Sequence, residues 1–378
     1  MTIIIDMRHL LLLSAVILLC AVPLSAQDFK DFRMPERIVS PEQRGDTLIL
    51  RLAGEYATEV KVECSWLQEP MLMNKIEGVW ELKFVGIPPE MHSYRFIVDG
   101  VPALDPSNVL VERFGDELRN YIIVDGQVSR LFSEPRHRGN LSYVWYESDI
   151  LGSSRRMAVY TPYGYEMRPD DEDTPKRNRK KNKDRKLYPV LYLLHDQGQD
   201  EESWLTMGRV VQILDNLIQQ GRAVPMIVVM PNAGNAPMFM SSFINEIIPY
   251  VESHYDAIPD KAGRAACGIG AGGTTVINTA VMYPDLFDFL LPLSCGVKDN
   301  GHLVEDFLRI KYAKIKLFWT GCGTADREAY EDSRVLHDTL SYIHLDHSFY
   351  MITGGRDWRV WRFFFTTFTP MIFKYYTD

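Results

Sequence analysis

Between residues 188 and 353, short uninterrupted apolar runs alternate with segments of helical periodicity. Tyr188-Pro189-Val190-Leu191-Tyr192-Leu193-Leu194 and Met226-Ile227-Val228-Val229-Met230-Pro231 place no charged side chain on either face. Strands of this kind cannot border water, so they predict a sheet buried on both sides. Further strands are expected at 264–268, 288–294, 315–321 and 347–353, with helices between them. Trp204 to Gln219 carries Val210, Val211, Leu214, Leu217 and Ile218 at helical spacing. That order predicts an α/β domain over 140–378, built as a doubly wound, mostly parallel sheet.

The rhythm differs before residue 128. Thr47–Leu52, Val60–Cys64, Val79–Phe84, Tyr94–Val98 and Asn120–Val124 are short strands, several of them apolar at every second position. This is the pattern of strands with one face in a core. Asp99-Gly100 marks a tight hairpin turn. Residues 27–127 are therefore expected to form an antiparallel all-β sandwich, followed by a polar linker at 128–139. Trp66 and Trp80 are expected in the core of the sandwich, with sugar-stacking platforms as the alternative.

The first 26 residues read as a signal peptide: Arg8 and His9, the apolar run Leu10–Leu24, then Ser25-Ala26. The run is short for a membrane span, so an exported protein without a span after processing is expected. Removal of that segment takes Cys20 with it. Cys64, Cys267, Cys295 and Cys322 then remain without close spacing, which points to buried free thiols. Residues 168–186 hold nine basic and five acidic side chains and read as a solvated insertion able to recruit an anionic surface. The chain as a whole has 41 basic and 50 acidic residues, a net charge of −9, which argues against a general nucleic-acid binder. Metal-binding and dinucleotide fingerprints are absent, so no metal and no cofactor is expected.

Two stretches of chain resemble known families. Gly78-Val79-Trp80, Tyr94 to Gly100 and Asp105-Pro106 are similar to the immunoglobulin-like domains found before glycan-active enzymes. Arg155 to Tyr165, Tyr188 to Gly198, Met226 to Asn232, Ile248 to Tyr255 and Tyr283 to Phe287 resemble, in order, the secreted esterases of the α/β-hydrolase class. That family includes feruloyl and acetyl xylan esterases and esterase-D-like proteins. The resemblance implies an α/β-hydrolase fold with a serine on a G-x-S-x-G elbow, then an acid, then a histidine.

Here the elbow reads Gly268-Ile269-Gly270-Ala271-Gly272-Gly273, with Gly270 at the serine position. It should follow strand 264–268 and open a helix near Thr274. Asp326 stands at the acid position, and Arg356 stands where the resemblance implies histidine. A guanidinium stays protonated and cannot serve as a general base; a pair with Asp326 is expected instead. The oxyanion donors would be the N–H of Ala271 and one from the Asp196-Gln197 turn, where the family has glycines.

The expectation is therefore a catalytically silent relative that binds a glycan, an esterified polysaccharide fragment or a partner protein. Gly270, Ala271, Asp196, Gln197, Trp204, Asp326 and Arg356 should line its cleft. Arg356 would favour an anionic ligand if left unneutralised. The alternative is an active carboxylic ester hydrolase with displaced groups, Cys295 or Ser294 paired with His195. A third is a scaffold with no ligand. His344 and His347 are expected to be structural.

Overall fold

The computed structural model describes residues 38–114, 117–165, 186–233, 238–298 and 301–374. The leader expected at 1–26 and residues 168–185 of the charged insertion lie outside them.

The N-terminal strands are β1 (Glu42–Arg44), β2 (Thr47–Ala53), β3 (Val60–Cys64), β4 (Met71–Leu72) and β5 (Asn74–Ile76). They continue as β6 (Val79–Val85), β7 (Met91–Val98), β8 (Val101–Ala103), β9 (Val111–Phe114) and β10 (Glu117–Ile123). They make two antiparallel sheets, in the orders β1-β2-β6-β5 and β4-β3-β7-β10-β9, with β8 beside β7. Leu48, Leu50 and Leu52 of β2 meet Val60, Val62 and Cys64 of β3 and Trp80, Leu82 and Phe84 of β6 in one core. These are every second residue of each strand, as the alternation requires. Asp99 and Gly100 turn the β7–β8 hairpin with φ of 48° and 86°, the mirror-image turn that suits strand twist. Trp80 is core, its indole N–H donating to the Gly54 carbonyl at 3.0 Å. Trp66 is half-buried, edge-on to Phe84 and His92, in a cavity of about 990 Å³ whose far wall includes Trp358 and Phe363.

The second part holds β11 (Asn140–Ser148), β12 (Ser153–Thr161), β13 (Val190–Leu194), β14 (Ile227–Pro231) and β15 (Arg264–Ile269). Then come β16 (Phe289–Leu293), β17 (Leu317–Gly323) and β18 (Ser348–Ile352). They form an eight-stranded sheet in the order β11-β12-β14-β13-β15-β16-β17-β18. β11, β12 and β14 pair antiparallel, and every pairing from β14 to β18 is parallel. Adjacent residues of one strand enter opposite cores: Leu191 and Leu193 one, Val190, Tyr192 and Leu194 the other. This is why these strands carry no alternation.

The helices used below are α1 (Ser203–Thr206), α2 (Val210–Gln219), α3 (Ala271–Met282) and α4 (Trp358–Phe368). Two expectations need correction. The periodicity over 204–219 is two helices, not one, broken at Gly208-Arg209. A side chain at Gly208 would overlap the Trp204 carbonyl and the Trp358 ring. Arg209 adopts φ 52°, which turns its guanidinium onto the Phe132 carbonyl at 2.7 Å. The elbow helix α3 starts at Ala271 rather than Thr274, directly after the glycine at the serine position.

The segment 128–139 is a docked strap rather than a free polar linker. Ser129–Phe132 forms a 3-10 turn, and Phe132 is buried in the core that holds Trp204 and Trp358. The Asn216 amide donates to the carbonyls of Leu131 and Ser133 at 3.0 and 2.9 Å. The Gly139 N–H donates to Asp215 at 3.1 Å. Three apolar residues, Val128, Leu131 and Phe132, in a polar stretch gave too little pattern to show this.

Glu112 of β9 is buried between Ser93, Arg119 and Arg362. Burial pushes its carboxyl up to about 7, against the pull of Arg362, the Ser93 hydroxyl and Arg119. A folded pKa above the unfolded one means the native state holds the extra proton between the two values, so this group's contribution to stability is lost as pH rises through about 7. Glu112→Gln should therefore be more stable than wild type at pH near 8, with the gap closing by pH near 4.5, the ordinary carboxylate value. Urea unfolding of both proteins at the two pH values checks this.

Candidate active-site cleft

The carboxyl ends of β13, β15, β17 and β18 converge, where open α/β sheets build their sites. The chain leaves β15 at Ile269 and turns at Gly270, with φ 53° and ψ −115°, before α3 begins. This is the sharp strand-to-helix turn that displays a nucleophile. A Cβ at Gly270 would overlap both Arg356 Nη2 and Asp196 Oδ1. Gly272 is demanded by a different contact: a Cβ there would overlap the carbonyls of Leu194 and His195.

Asp196 follows β13 and is 6% exposed. Its Oδ1 accepts from the N–H of Gln197 at 2.8 Å, the N–H of Ala271 at 2.9 Å and Arg356 Nη2 at 2.8 Å. Its Oδ2 lies 2.6 Å from the same Nη2. The two backbone donors that would hold an oxyanion thus both hold a carboxylate of the protein itself.

Arg356 spans the site. Nη1 donates to the Ser294 carbonyl at 3.0 Å, and Nε lies 3.5 Å from Glu328 Oε2. Its main partner is Asp196; Asp326 Oδ2 stands 3.7 Å from Nη1, at the outer range of an ion pair. The expected Arg356–Asp326 pair is therefore present only as this single long ion pair, not as a bidentate one. Asp326 is fully buried, with Oδ1 accepting from the N–H groups of Ala329 and Glu328 at 3.1 and 3.3 Å. Its Oδ2 makes no hydrogen bond among the described residues. The Asp326 carboxylate thus faces a guanidinium, where the resemblance implies an imidazole.

The displaced pairings do not form either. His195 Nδ1 meets the Asp196 carbonyl at 2.7 Å, so it carries the proton, and Nε2 accepts from the Ala233 N–H at 2.9 Å. Burial lowers the pKa of this ring, which keeps it neutral. With both nitrogens engaged by backbone, His195 has no capacity to deprotonate Ser294 or Cys295. The Ser294 hydroxyl is buried and accepts from the Trp361 indole N–H at 2.8 Å. Burial pushes the Cys295 and Cys267 thiols well up, away from thiolate character. All four described cysteines are buried free thiols. His347 meets His337 at 2.8 Å and the Leu345 carbonyl at 2.8 Å, a structural role, and His344 turns the chain with φ 55°.

The cleft beside these residues measures about 630 Å³. Of the expected lining residues, Asp196 and Arg356 line it; Gly270, Ala271, Gln197 and Asp326 are not among its walls, because Asp196 and Arg356 stand over the elbow and Asp326 is buried behind Arg356. Trp204 does not line it. It is 1% exposed and packs edge-on against Trp358 at 5.2 Å, because the apolar side of α1 faces the core. The lining that the sequence did not show includes Gln199, Asp200, Glu202, Asp357 and Trp361, with Val111, Glu112, Arg113 and Leu118 from the β9–β10 hairpin of the sandwich. Contacts across so long a chain separation leave no local signal. Four acidic side chains, Asp196, Asp200, Glu202 and Asp357, together with the buried Glu112 carboxyl, share the lining with two guanidiniums, Arg113 and Arg356. Since Arg356 is neutralised by Asp196, the anionic ligand suggested by Arg356 alone is disfavoured.

Comparison with known proteins agrees with this architecture. The chain is 27% identical over 303 residues to an endo-1,4-beta-xylanase/feruloyl esterase of Xylanibacter ruminicola, covering 76% of this chain and 37% of that protein. It is 30% identical over 159 residues to endo-1,4-beta-xylanase Y of Acetivibrio thermocellus, covering 38% of this chain and 13% of that one. The chain thus spans well under half the length of either relative. A ferulic acid esterase from Anaeromyces mucronatus superposes with a TM-score of 0.55 at 22% identity, over 65% of this chain and 95% of its own. The enterobactin esterase of Shigella flexneri superposes with a TM-score of 0.62 at 16% identity, over 89% of this chain and 96% of its own. At such identities these two speak for the fold alone. The Esterase family model matches residues 148–371, more than half of the chain. The chain belongs to the esterase family of α/β-hydrolases.

Proposed function

We propose that this protein is an exported, non-hydrolytic member of the family that holds a neutral glycan or glycan fragment in its cleft. One observation carries the reading: the Asp196 carboxylate is hydrogen-bonded to both Ala271 N–H and Gln197 N–H. Ester hydrolysis needs those donors free for the charge that develops on the substrate oxygen. A resident carboxylate takes the donors and repels that charge. Gly270 supplies no nucleophile and Arg356 no base, so nothing remains to start the reaction. The acidic balance of the cleft favours a neutral or basic ligand over an anionic one. The xylanase and feruloyl esterase names of the relatives support a polysaccharide, and the leader-like segment at 1–26 supports export.

Purified protein assayed on aryl acetates and feruloyl esters should show no more turnover than its Asp326→Ala variant. Steady turnover that drops at least tenfold in Asp326→Ala would overturn the non-hydrolytic reading.

A further inference from the structure

We propose that the exposed aromatic strip of β11 is a second carbohydrate-binding surface, which leads an extended neutral polysaccharide into the cleft. The proposal rests on the glycan clause of the reading above. β11 is the edge strand of the large sheet. On one face it presents Leu141, Tyr143 and Trp145, which are 40%, 46% and 64% exposed. Edge strands ordinarily protect themselves with charge or proline. Here two aromatic rings two residues apart share one face, about 6.6 Å from each other at the usual strand rise.

The rings are held rather than loose. The Tyr143 hydroxyl donates to Glu202 at 2.7 Å. Arg156, opposite Trp145 in the strand register, lies 5.0 Å from the Tyr143 ring centre and 6.0 Å from that of Trp145. Arg156 is itself fixed by Glu202 at 3.1 Å and by Glu201. A surface fixed before binding loses little side-chain freedom when a ligand arrives.

The width of the strip selects the ligand. A stable protein interface buries about 800 Å² per partner around an apolar centre. This strip is a single file of apolar side chains, bordered by Glu147, Arg156 and Glu202. Such a file suits the flat C–H face of a pyranose ring against an aromatic ring, with charged side chains alongside for the hydroxyls. Glu202 both bonds Tyr143 and lines the cleft, so the strip and the cleft are continuous.

Titration calorimetry with xylohexaose, cellohexaose and mannohexaose tests this on the full chain. Trp145→Ala should weaken the bound hexasaccharide at least tenfold while leaving the melting temperature unchanged, since the ring is largely exposed. Thr206→Trp, which fills the cleft from an exposed position, should also weaken it. Unchanged binding by Trp145→Ala with loss in Thr206→Trp would overturn the strip and leave the cleft reading intact. No binding of any hexasaccharide by wild type would remove both. A wild-type dimer in sedimentation that Trp145→Ala dissociates would overturn the proposal in favour of a second copy of this chain.

Discussion

The Gly270→Ser/Arg356→His double variant is expected to stay inactive on aryl esters, with hydrolysis appearing only when Asp196→Gly is added. Placing serine and histidine at these two positions follows from the family resemblance of the sequence, but the structure shows a further obstacle. A Cβ at Gly270 overlaps two groups, Arg356 Nη2 and Asp196 Oδ1. Arg356→His removes only the first. The carboxylate would still press on the new hydroxyl and still accept from the N–H groups of Ala271 and Gln197. Loss of a single oxyanion donor lowers kcat by about 10²–10³, and here two donors are masked by a like charge. With Asp196→Gly the donors are released. Asp326 Oδ2, which has no hydrogen bond among the described residues, then lies ready to accept from the introduced imidazole. The triple variant should exceed the double by at least about 10³ in kcat/KM, from these same donors. Equal turnover by double and triple variants would show that Asp196 swings clear unaided. A silent triple variant with an unchanged fold would show that the defect extends beyond these three positions.

What was legible in the sequence follows physical range. β3 and β13 could be placed because apolar pattern depends on which faces a strand buries, and that is local. The tight turn at Gly270 could be placed because it sits directly at the end of β15. The partner of Arg356 could not. Choosing Asp196 over Asp326 depends on where two loops, 160 residues apart, bring their atoms. Trp204 was misplaced because helical spacing says which residues share a face but not which way that face turns. The strap at 128–139 and the β9–β10 wall of the cleft were invisible for a related reason. Their roles come from partners on α2, α4 and the strand ends, and three apolar residues in a polar segment do not announce a docking site.

Arg362→Ala is expected to destabilise the protein by about 3–5 kcal/mol, the range for breaking one side of a buried ion pair. Arg362 lies on α4 and is 3% exposed. Nε and Nη2 donate to Glu90 Oε1 at 3.2 and 3.0 Å, Nη2 to the Met91 carbonyl at 3.2 Å and Nη1 to the Met207 carbonyl at 2.5 Å. The guanidinium also lies 5.4 Å from the centre of the Phe132 ring. One side chain therefore ties the sandwich, the strap and the α1–α2 corner together. Its removal leaves a mostly buried carboxylate and two carbonyls without their donor, and an alanine stem cannot compensate. Arg362→Met should be nearly as damaging, because it restores packing but not charge. Glu90→Gln added to Arg362→Met should recover part of the loss, because the stranded charge is gone. The deficit should also depend on pH. Arg362 is one of the charges that hold the Glu112 carboxyl down, so its loss raises the cost of charging that buried carboxyl further. Protonation of Glu112 removes that charge, so the deficit should be larger at pH near 8 than near 4.5. Urea unfolding at both pH values measures it. A loss below about 1 kcal/mol at either pH, the range of exposed pairs, would mean that water replaces the guanidinium and that the clamp is not closed to solvent.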